Sequence, residues 1–305
     1  MINSEQSYYY KIGGLILKVS IKDILLELAS GSGSHKFLIN YANTLGHDNV
    51  YSVLYSLSEN IKIPDTVPAF TVRSFDENKT SYEWDVYDLE EEQLMIIRNE
   101  DGPFKLVSVS FYFKERHVEV KMVGEVYEKL YFDPFFQPFG VLLLNYLVHQ
   151  EGGIMLHSSG VKDGNNGYVF TAVSGTGKST MAGLWQSVGG KIINDDRLIL
   201  MPGEDGVVMT NTPMPYYQDV YKESPVTAVF LIKQSPENHI KPLPGVTGVA
   251  GLMANCIQFL YDKEMVKKHM ESLTAIAERC PIYELGFKPD TEIVEIIRRE
   301  FGRKQ

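Results

Sequence analysis

Residues 172–180 constrain the fold of this chain more than any other segment. The segment begins with small side chains and continues with two glycines, a lysine and two further hydroxyl residues. Glycines allow backbone N–H groups to turn inward and to approach an anion closely. The order is that of the Walker A loop, with Ala172 where glycine is commoner. We call residues 172–180 the glycine loop. The sequence predicts that it binds the phosphates of ATP or GTP through Ser174, Gly175, Thr176, Gly177, Lys178, Ser179 and Thr180.

The flanks of the glycine loop favour a strand before it and a helix after it. Residues 167–173 are rich in apolar, β-branched and aromatic side chains, which is typical of a strand. Apolar side chains then recur at the spacing of one helix face, at Met181, Leu184, Trp185 and Val188. A helix that begins at the loop points its N-terminus at the phosphates. Lys178 would then contact the β- and γ-phosphates, and Ser179 would bind Mg²⁺. An ordinary Gly/Ser loop that matches by chance is the alternative.

Two adjacent carboxylates, Asp195 and Asp196, follow a short apolar run after the loop. Because they close a short strand, we expect them at the sheet edge where ligands bind in open α/β sheets. Neighbouring residues on a strand point to opposite sides, so the two acids would have different tasks. One would serve the Mg²⁺ shell, and the other would accept the proton of an acceptor hydroxyl. A solvated Asp-Asp turn is the alternative interpretation.

A histidine, His157, lies on an apolar segment that precedes the strand of the glycine loop. The Asp163-Gly164 and Asn166-Gly167 pairs between the two segments are typical of a tight hairpin turn. A hairpin would bring His157 beside the loop, where an imidazole can contact the γ-phosphate or assist proton transfer. A purely structural histidine is the alternative.

The charge and the cysteines limit the partners and the compartment. The chain of 305 residues has a net charge of −10, whereas nucleic acids and anionic membranes favour a basic face, so we expect neither as a partner. The N-terminus lacks a secretory-signal pattern, and the most apolar segment, 139–148, is about half the length that spans a bilayer. Cys256 and Cys280 have no metal-type spacing, which fits a reducing compartment. These features predict a cytoplasmic protein.

The patterns along the chain predict an α+β protein overall. Residues 1–130 would form a mostly antiparallel β domain, residues 131–150 a helical connector with Pro134 near its start, and residues 151–305 an α/β P-loop domain. Apolar spacing predicts two further helices in the last part, through 266–277 and from about Thr291. The strands predicted in the β domain are 8–21, 50–57, 69–74, 82–89, 94–98, 105–113 and 117–123.

The strand bearing His157, the glycine loop and the strand ending in Asp195-Asp196 together resemble the catalytic domain of HPr kinase/phosphorylase, in the phosphoenolpyruvate carboxykinase-like superfamily. The resemblance covers about residues 150–300. It implies ATP bound by the loop, Mg²⁺ held by Ser179 and an aspartate such as Asp195, and an acceptor hydroxyl handled by His157 and the aspartate pair. With Lys178, the implied catalytic residues are Asp196, Asp195 and His157. The ring-like assembly of that family implies a homo-oligomer.

The chain departs from that family at two positions and in one loop. Asn211 and Met214 stand where these proteins carry glycine and tryptophan. The arginine-containing loop that recognises the HPr protein is not found, which disfavours HPr as the acceptor.

Three functions remain open from the sequence. The first is an ATP-dependent kinase that phosphorylates a serine or another hydroxyl of a peptide, protein or small molecule. The second is a nucleotide-binding regulatory or scaffolding protein without transferase activity. The third is a small-metabolite kinase of the shikimate-kinase type, in which an arginine-bearing lid would close over the phosphates. The few arginines after the loop, mostly near the C-terminus, disfavour such a lid.

Overall fold

The computed structural model describes residues 6–44, 50–73, 82–99, 104–124, 128–214, 219–258 and 260–302. The chain divides into two compact units. The first comprises Met1–Leu143 with Pro213–Val220, and the second comprises Leu144–Thr212 with Tyr221–Gln305. The fold is mixed α/β, with several sheets and, within the described residues, five α-helices.

The first unit is built on a large mixed sheet. Within its described residues, nine strands pair in the order β4-β1-β2-β5-β10-β9-β8-β7-β6, and β11 pairs with β3. Short 3₁₀ turns occupy Gly33–Phe37, Tyr41–Thr44 and Phe113–Glu115. The strands are β1 Gln6–Ile12, β2 Leu15–Ile21, β3 Leu26–Leu28, β4 Leu38–Ile39, β5 Val50–Leu57, β6 Phe70–Val72, β7 Tyr82–Asp88, β8 Gln93–Asn99, β9 Leu106–Tyr112, β10 His117–Val123 and β11 Leu130–Phe132.

The predicted strands occur in this sheet, and most of its described pairs are antiparallel, but two pairs are parallel. Strand β5 pairs in parallel with β2 on one side and with β10 on the other. The chain leaves β2 at Ile21 and returns at Val50 in the same direction, so a crossover replaces a hairpin. The alternation along β10 is that of a half-buried strand, with Val118, Val120 and Met122 buried. The predicted strand end at Ser74 lies outside the described residues.

The helix predicted within residues 131–150 is shorter than expected. It forms α1, Phe139–Gln150, and begins after Pro138 rather than near Pro134. The Pro138 carbonyl accepts a hydrogen bond from the N–H of Leu142. Pro138 therefore lies at the helix start, where a missing N–H leaves no helical bond unmade. Among the described residues, no helix is long and apolar enough to cross a membrane.

The second unit carries the glycine loop. Its helices are α2 Lys178–Ser187, α3 Val246–Met253, α4 Lys263–Arg279 and α5 Glu292–Phe301. Its strands are β12 Ile154–Asp163, β13 Asn166–Thr171, β14 Lys191–Asn194, β15 Arg197–Gly203, β16 Gly206–Asn211, β17 Glu223–Pro225, β18 Ala228–Gln234, β19 His239–Pro242, β20 Cys256–Ile257 and β21 Ile282–Phe287.

The strands of this unit pair in the order β17-β16-β15-β12-β13-β18-β21-β19, and β14 and β20 also pair with β12. Strands β13, β18 and β21 are mutually parallel, so their carboxyl ends meet at one edge. Successive side chains alternate between the faces. Val169 packs with α3 and α4, whereas Phe170 packs with α2 and α5. The central strands are thus covered by helices on both faces, which is typical of α/β proteins.

Candidate functional site

The glycine loop joins the end of β13 to the start of α2. Gly175 and Gly177 have φ of 81° and 116°, values that favour glycine because a side chain would be strained there. Lys178 is the first residue of α2. On the buried face of α2, Trp185 stacks on Tyr168 of β13 with ring centroids 5.0 Å apart. This packing fixes the helix against the strand, so the loop between them has a defined position.

Lys178 is the buried cation of the site, with only 7% of its surface exposed. Its Nζ donates hydrogen bonds to the carbonyls of Ala172, at 2.9 Å, and Val173, at 3.3 Å. Burial lowers the pKa of Lys178, and the charges of Asp196 and Asp195 oppose that shift. Both carboxylates therefore act electrostatically on the loop lysine.

The predicted hairpin is present and brings His157 to the glycine loop. Asp163 pairs with Asn166 across the turn, and Ser158 pairs with Thr171 at the end of β13. The Thr171 hydroxyl donates to the His157 carbonyl at 2.9 Å. His157 therefore lies beside the residue at which β13 ends and the loop begins.

The two aspartates directly follow the end of the short strand β14, and β15 begins immediately after them. Strands β14 and β15 both pair with β12, and Asp195 and Asp196 form the bend between them. The Asp196 carbonyl accepts from the Ser158 N–H at 3.0 Å. Its carboxylate has Oδ1 3.5 Å from His157 Nδ1 and Oδ2 3.1 Å from Arg197 Nε. The bend thus places Asp196 against the histidine of the neighbouring strand.

Two residues that the sequence did not single out hold this bend. The Asn194 side-chain oxygen accepts from the N–H groups of Asp196, at 2.9 Å, and Arg197, at 3.3 Å. This Asx-type turn is the physical reason for the break in the strand. The hydroxyl of Ser159, which is fully buried, donates to Asp195 Oδ1. An asparagine directly before the two aspartates was the available signal for the turn, whereas nothing in the sequence pointed to Ser159.

The donor chemistry of the site fits Mg²⁺. Ser179 is exposed on the first turn of α2, and Asp195 is half-buried. Hydroxyl and carboxylate oxygens are ligands that Mg²⁺ accepts, and in nucleotide sites one or two protein ligands suffice because phosphates and waters complete the shell. Within the described ranges no group of three or more histidine, cysteine, aspartate or glutamate side chains could hold a metal by itself.

The two cysteines are packing residues. Burial raises the pKa of both Cys256 and Cys280 to about 12. A thiol is a poor nucleophile when its pKa lies that far above neutral pH.

At the first departure from the family pattern, Asn211 is fully buried at the end of β16. Its side-chain oxygen accepts from the Lys222 N–H at 2.7 Å. A glycine at this position would lack that bond.

Comparisons with known proteins find structural likeness without sequence similarity to any family model. The sequence matches no protein-family model and no curated protein. Among solved structures, the HPr(Ser) kinase/phosphatase from Coxiella burnetii is similar over 48% of this chain and 94% of its own, with 10% sequence identity and a TM-score of 0.31.

Proposed function

We propose that the chain is an ATP-dependent phosphotransferase that moves the γ-phosphoryl group to a serine or another hydroxyl of a peptide, protein or small molecule. One observation carries the proposal. His157 Nδ1 lies 3.5 Å from Asp196 Oδ1, at the hairpin end where the glycine loop begins, and both aspartates act electrostatically on Lys178. A phosphate-binding loop and a proton acceptor at one place are what phosphoryl transfer to a hydroxyl requires.

On the donor side, Lys178 and Ser179 bind the nucleotide. The Lys178 ammonium, which is hydrogen-bonded to two carbonyls of its own loop, exchanges those partners for phosphate oxygens. Ser179 and Asp195 would hold Mg²⁺, which neutralises charge on the β- and γ-phosphates when it is bound. Ser159 keeps the Asp195 carboxylate in place through its hydroxyl.

On the acceptor side, Asp196 takes the proton of the hydroxyl. The acceptor oxygen forms a bond to the γ-phosphorus, the bond from that phosphorus to the bridging oxygen breaks, and the nucleoside diphosphate leaves with the electron pair. His157 positions Asp196, since its Nδ1 hydrogen-bonds the Asp196 main-chain carbonyl at 3.1 Å and lies 3.5 Å from the carboxylate Oδ1. A positioned general base contributes about 10²–10⁴-fold to such a step.

The test is transfer of label from γ-labelled ATP, first to water and then to a panel of serine peptides and small alcohols. We expect Asp196→Asn to lower the transfer rate about 100-fold or more while ATP binding is retained. Asp205→Asn is the matched control, because Asp205 is exposed in the turn between β15 and β16. Full activity of Asp196→Asn would refute the assigned base.

A second candidate, a nucleotide-binding protein without transfer activity, is favoured by one contact. Asp196 Oδ2 lies 3.1 Å from Arg197 Nε, so one carboxylate oxygen already has a cationic partner. Tight ATP binding without transfer to any acceptor, water included, would support this candidate.

The contacts of Arg279 and Arg298 disfavour a small-metabolite kinase with an arginine lid. Arg298 binds the Asp163 carboxylate through two nitrogens at 2.8 Å, and Arg279 donates to the Gly203 carbonyl at 3.1 Å. Each of these side chains already has a partner away from the glycine loop.

A further inference from the structure

A cavity of about 540 Å³ adjoins the glycine loop on the side away from the aspartates. Its lining combines loop residues Gly177 and Thr180 with the ends of β18 and β21 and the residues that follow them. The residues from those two regions are Gln234, Ser235, Pro236, Phe287 and Pro289. The volume falls within the range of about 300–1,000 Å³ that is usual for small-molecule sites.

The order of the strands determines on which side of the glycine loop this cavity lies. Strand β13, which leads into the loop, lies between β12 and β18. His157 lies on β12, and the aspartates follow β14, which pairs with β12. The cavity lies at the carboxyl ends of β18 and β21, on the other side of β13. A nucleotide that crosses the loop with its γ-phosphate toward Asp196 therefore directs its other end to the cavity.

Hydrogen bonds join the two walls of the cavity, and Phe287 packs against the glycine loop. The Ser235 N–H donates to the Phe287 carbonyl at 3.1 Å, and the Lys288 N–H donates to the Asn238 side-chain oxygen at 2.8 Å. A Cβ on Gly177 would lie 2.9 Å from the Phe287 ring. The aromatic side chain thus touches the loop at the glycine that precedes Lys178, so the cavity is continuous with the phosphate site.

We propose that this cavity receives the base of the nucleotide whose phosphates the glycine loop holds. The two prolines and Phe287 supply apolar contacts for a flat ring, and Gln234 supplies an amide at its edge. Because an amide both donates and accepts hydrogen bonds, Gln234 suits adenine and guanine alike. The inference rests on the proposed function in one respect, namely that the loop binds nucleotide phosphates.

The test compares ATP, GTP and inorganic tripolyphosphate, each with excess Mg²⁺, by titration calorimetry on the full chain. We expect both nucleotides to bind about tenfold or more tightly than tripolyphosphate, the order expected for one buried base. Gln234→Trp fills the cavity and should weaken ATP about tenfold without changing the affinity for tripolyphosphate. Gln186→Trp is the matched control, since Gln186 is exposed near the other end of α2.

The outcomes separate this proposal from the proposed function. Equal affinity of the unmodified chain for ATP and tripolyphosphate overturns the base site and leaves the phosphate loop intact. Equal weakening of both ligands by Gln234→Trp also overturns it, because the variant then acts through the loop. If neither ATP, GTP nor tripolyphosphate binds, the proposed function itself is refuted. If Gln234→Trp does not fold, the comparison of nucleotides with tripolyphosphate decides alone.

Discussion

At the residue scale, Asp195 depends on a hydrogen bond from the buried hydroxyl of Ser159. Removing a partner of a metal-binding carboxylate typically weakens metal affinity about 10- to 100-fold. We therefore expect Ser159→Ala to raise the Mg²⁺ concentration needed for half-maximal ATP binding about tenfold. Calorimetric titration with ATP at a series of Mg²⁺ concentrations measures this shift.

The neighbouring serine provides the control for that substitution. Ser158 is equally buried, and its hydroxyl donates to the Leu156 carbonyl at 3.2 Å instead of to an aspartate. Ser158→Ala removes the same atom from the same strand, so its Mg²⁺ requirement should stay that of the unmodified chain. An unchanged requirement in Ser159→Ala would show that Asp195 does not bind the metal.

The residues of the site differed in how far the sequence could predict them. Lys178 and Ser179 belong to one contiguous motif, so their placement needs only local structure. His157 needed one hairpin, which its Asp-Gly and Asn-Gly pairs signalled. The contact of Ser159 with Asp195 depends on the register between β12 and β14, which shifts between Gly160 and Val161. An irregularity of that kind leaves no pattern in the sequence.

At the element scale, the turn from β13 into α2 depends on left-handed backbone. Gly177 has φ of 116°, and a Cβ there would lie 2.9 Å from Phe287. We expect Gly177→Ala to lower the free energy of unfolding by about 2–4 kcal/mol, because strain and overlap add. Gly175 has φ of 81° with open space around its Cβ position, so Gly175→Ala should cost only about 1 kcal/mol. Urea unfolding measures both.

A third glycine, within α2, provides a control in which alanine should stabilise rather than destabilise the fold. Gly183 lies within α2, and a Cβ there would meet nothing within 4 Å. Gly183→Ala should therefore raise the free energy of unfolding by about 0.5–1 kcal/mol through helix propensity alone. If Gly177→Ala were as stable as Gly183→Ala, the described turn geometry would be wrong.

At the scale of the whole molecule, the strands were easier to predict than their partners. The runs at Val50–Leu57 and His117–Val123 carry the composition and alternation of strands, and both occur with the predicted bounds. Their mutual pairing is parallel, which joins segments far apart in sequence. Alternation indicates which side chains are buried, but it does not indicate the direction of the neighbouring strand. Most described pairs of this sheet are antiparallel, and alternation could not predict the two parallel pairings of β5.

The stability of the second unit should fall in acid because of two stacked histidines. The rings of His149 and His269 have centroids 6.0 Å apart, and His269 Nε2 is buried with no hydrogen-bond partner among the described residues. Burial lowers the pKa of His269 to about 4, and the charge of His149 contributes. Burial also lowers the pKa of His149, while a bond to the Met265 carbonyl and Asp262 oppose this shift and Lys268 adds to it. Both rings are therefore neutral in the fold at neutral pH.

The direction of the effect follows from the depressed pKa. Above about pH 6.5 folded and unfolded chains carry the same neutral rings, and between pH 6.5 and 4 the unfolded chain binds protons that the fold excludes. At pH 4.5 we expect His269→Leu to have a free energy of unfolding about 1–2 kcal/mol higher than that of the unmodified chain. At pH 7 the two free energies should be nearly equal. Urea unfolding at both pH values measures this, with His117→Leu as a histidine control in the first unit. An equal loss of stability on acidification in His269→Leu and the unmodified chain would contradict the assignment, because the buried ring would then not be the group that takes up the proton.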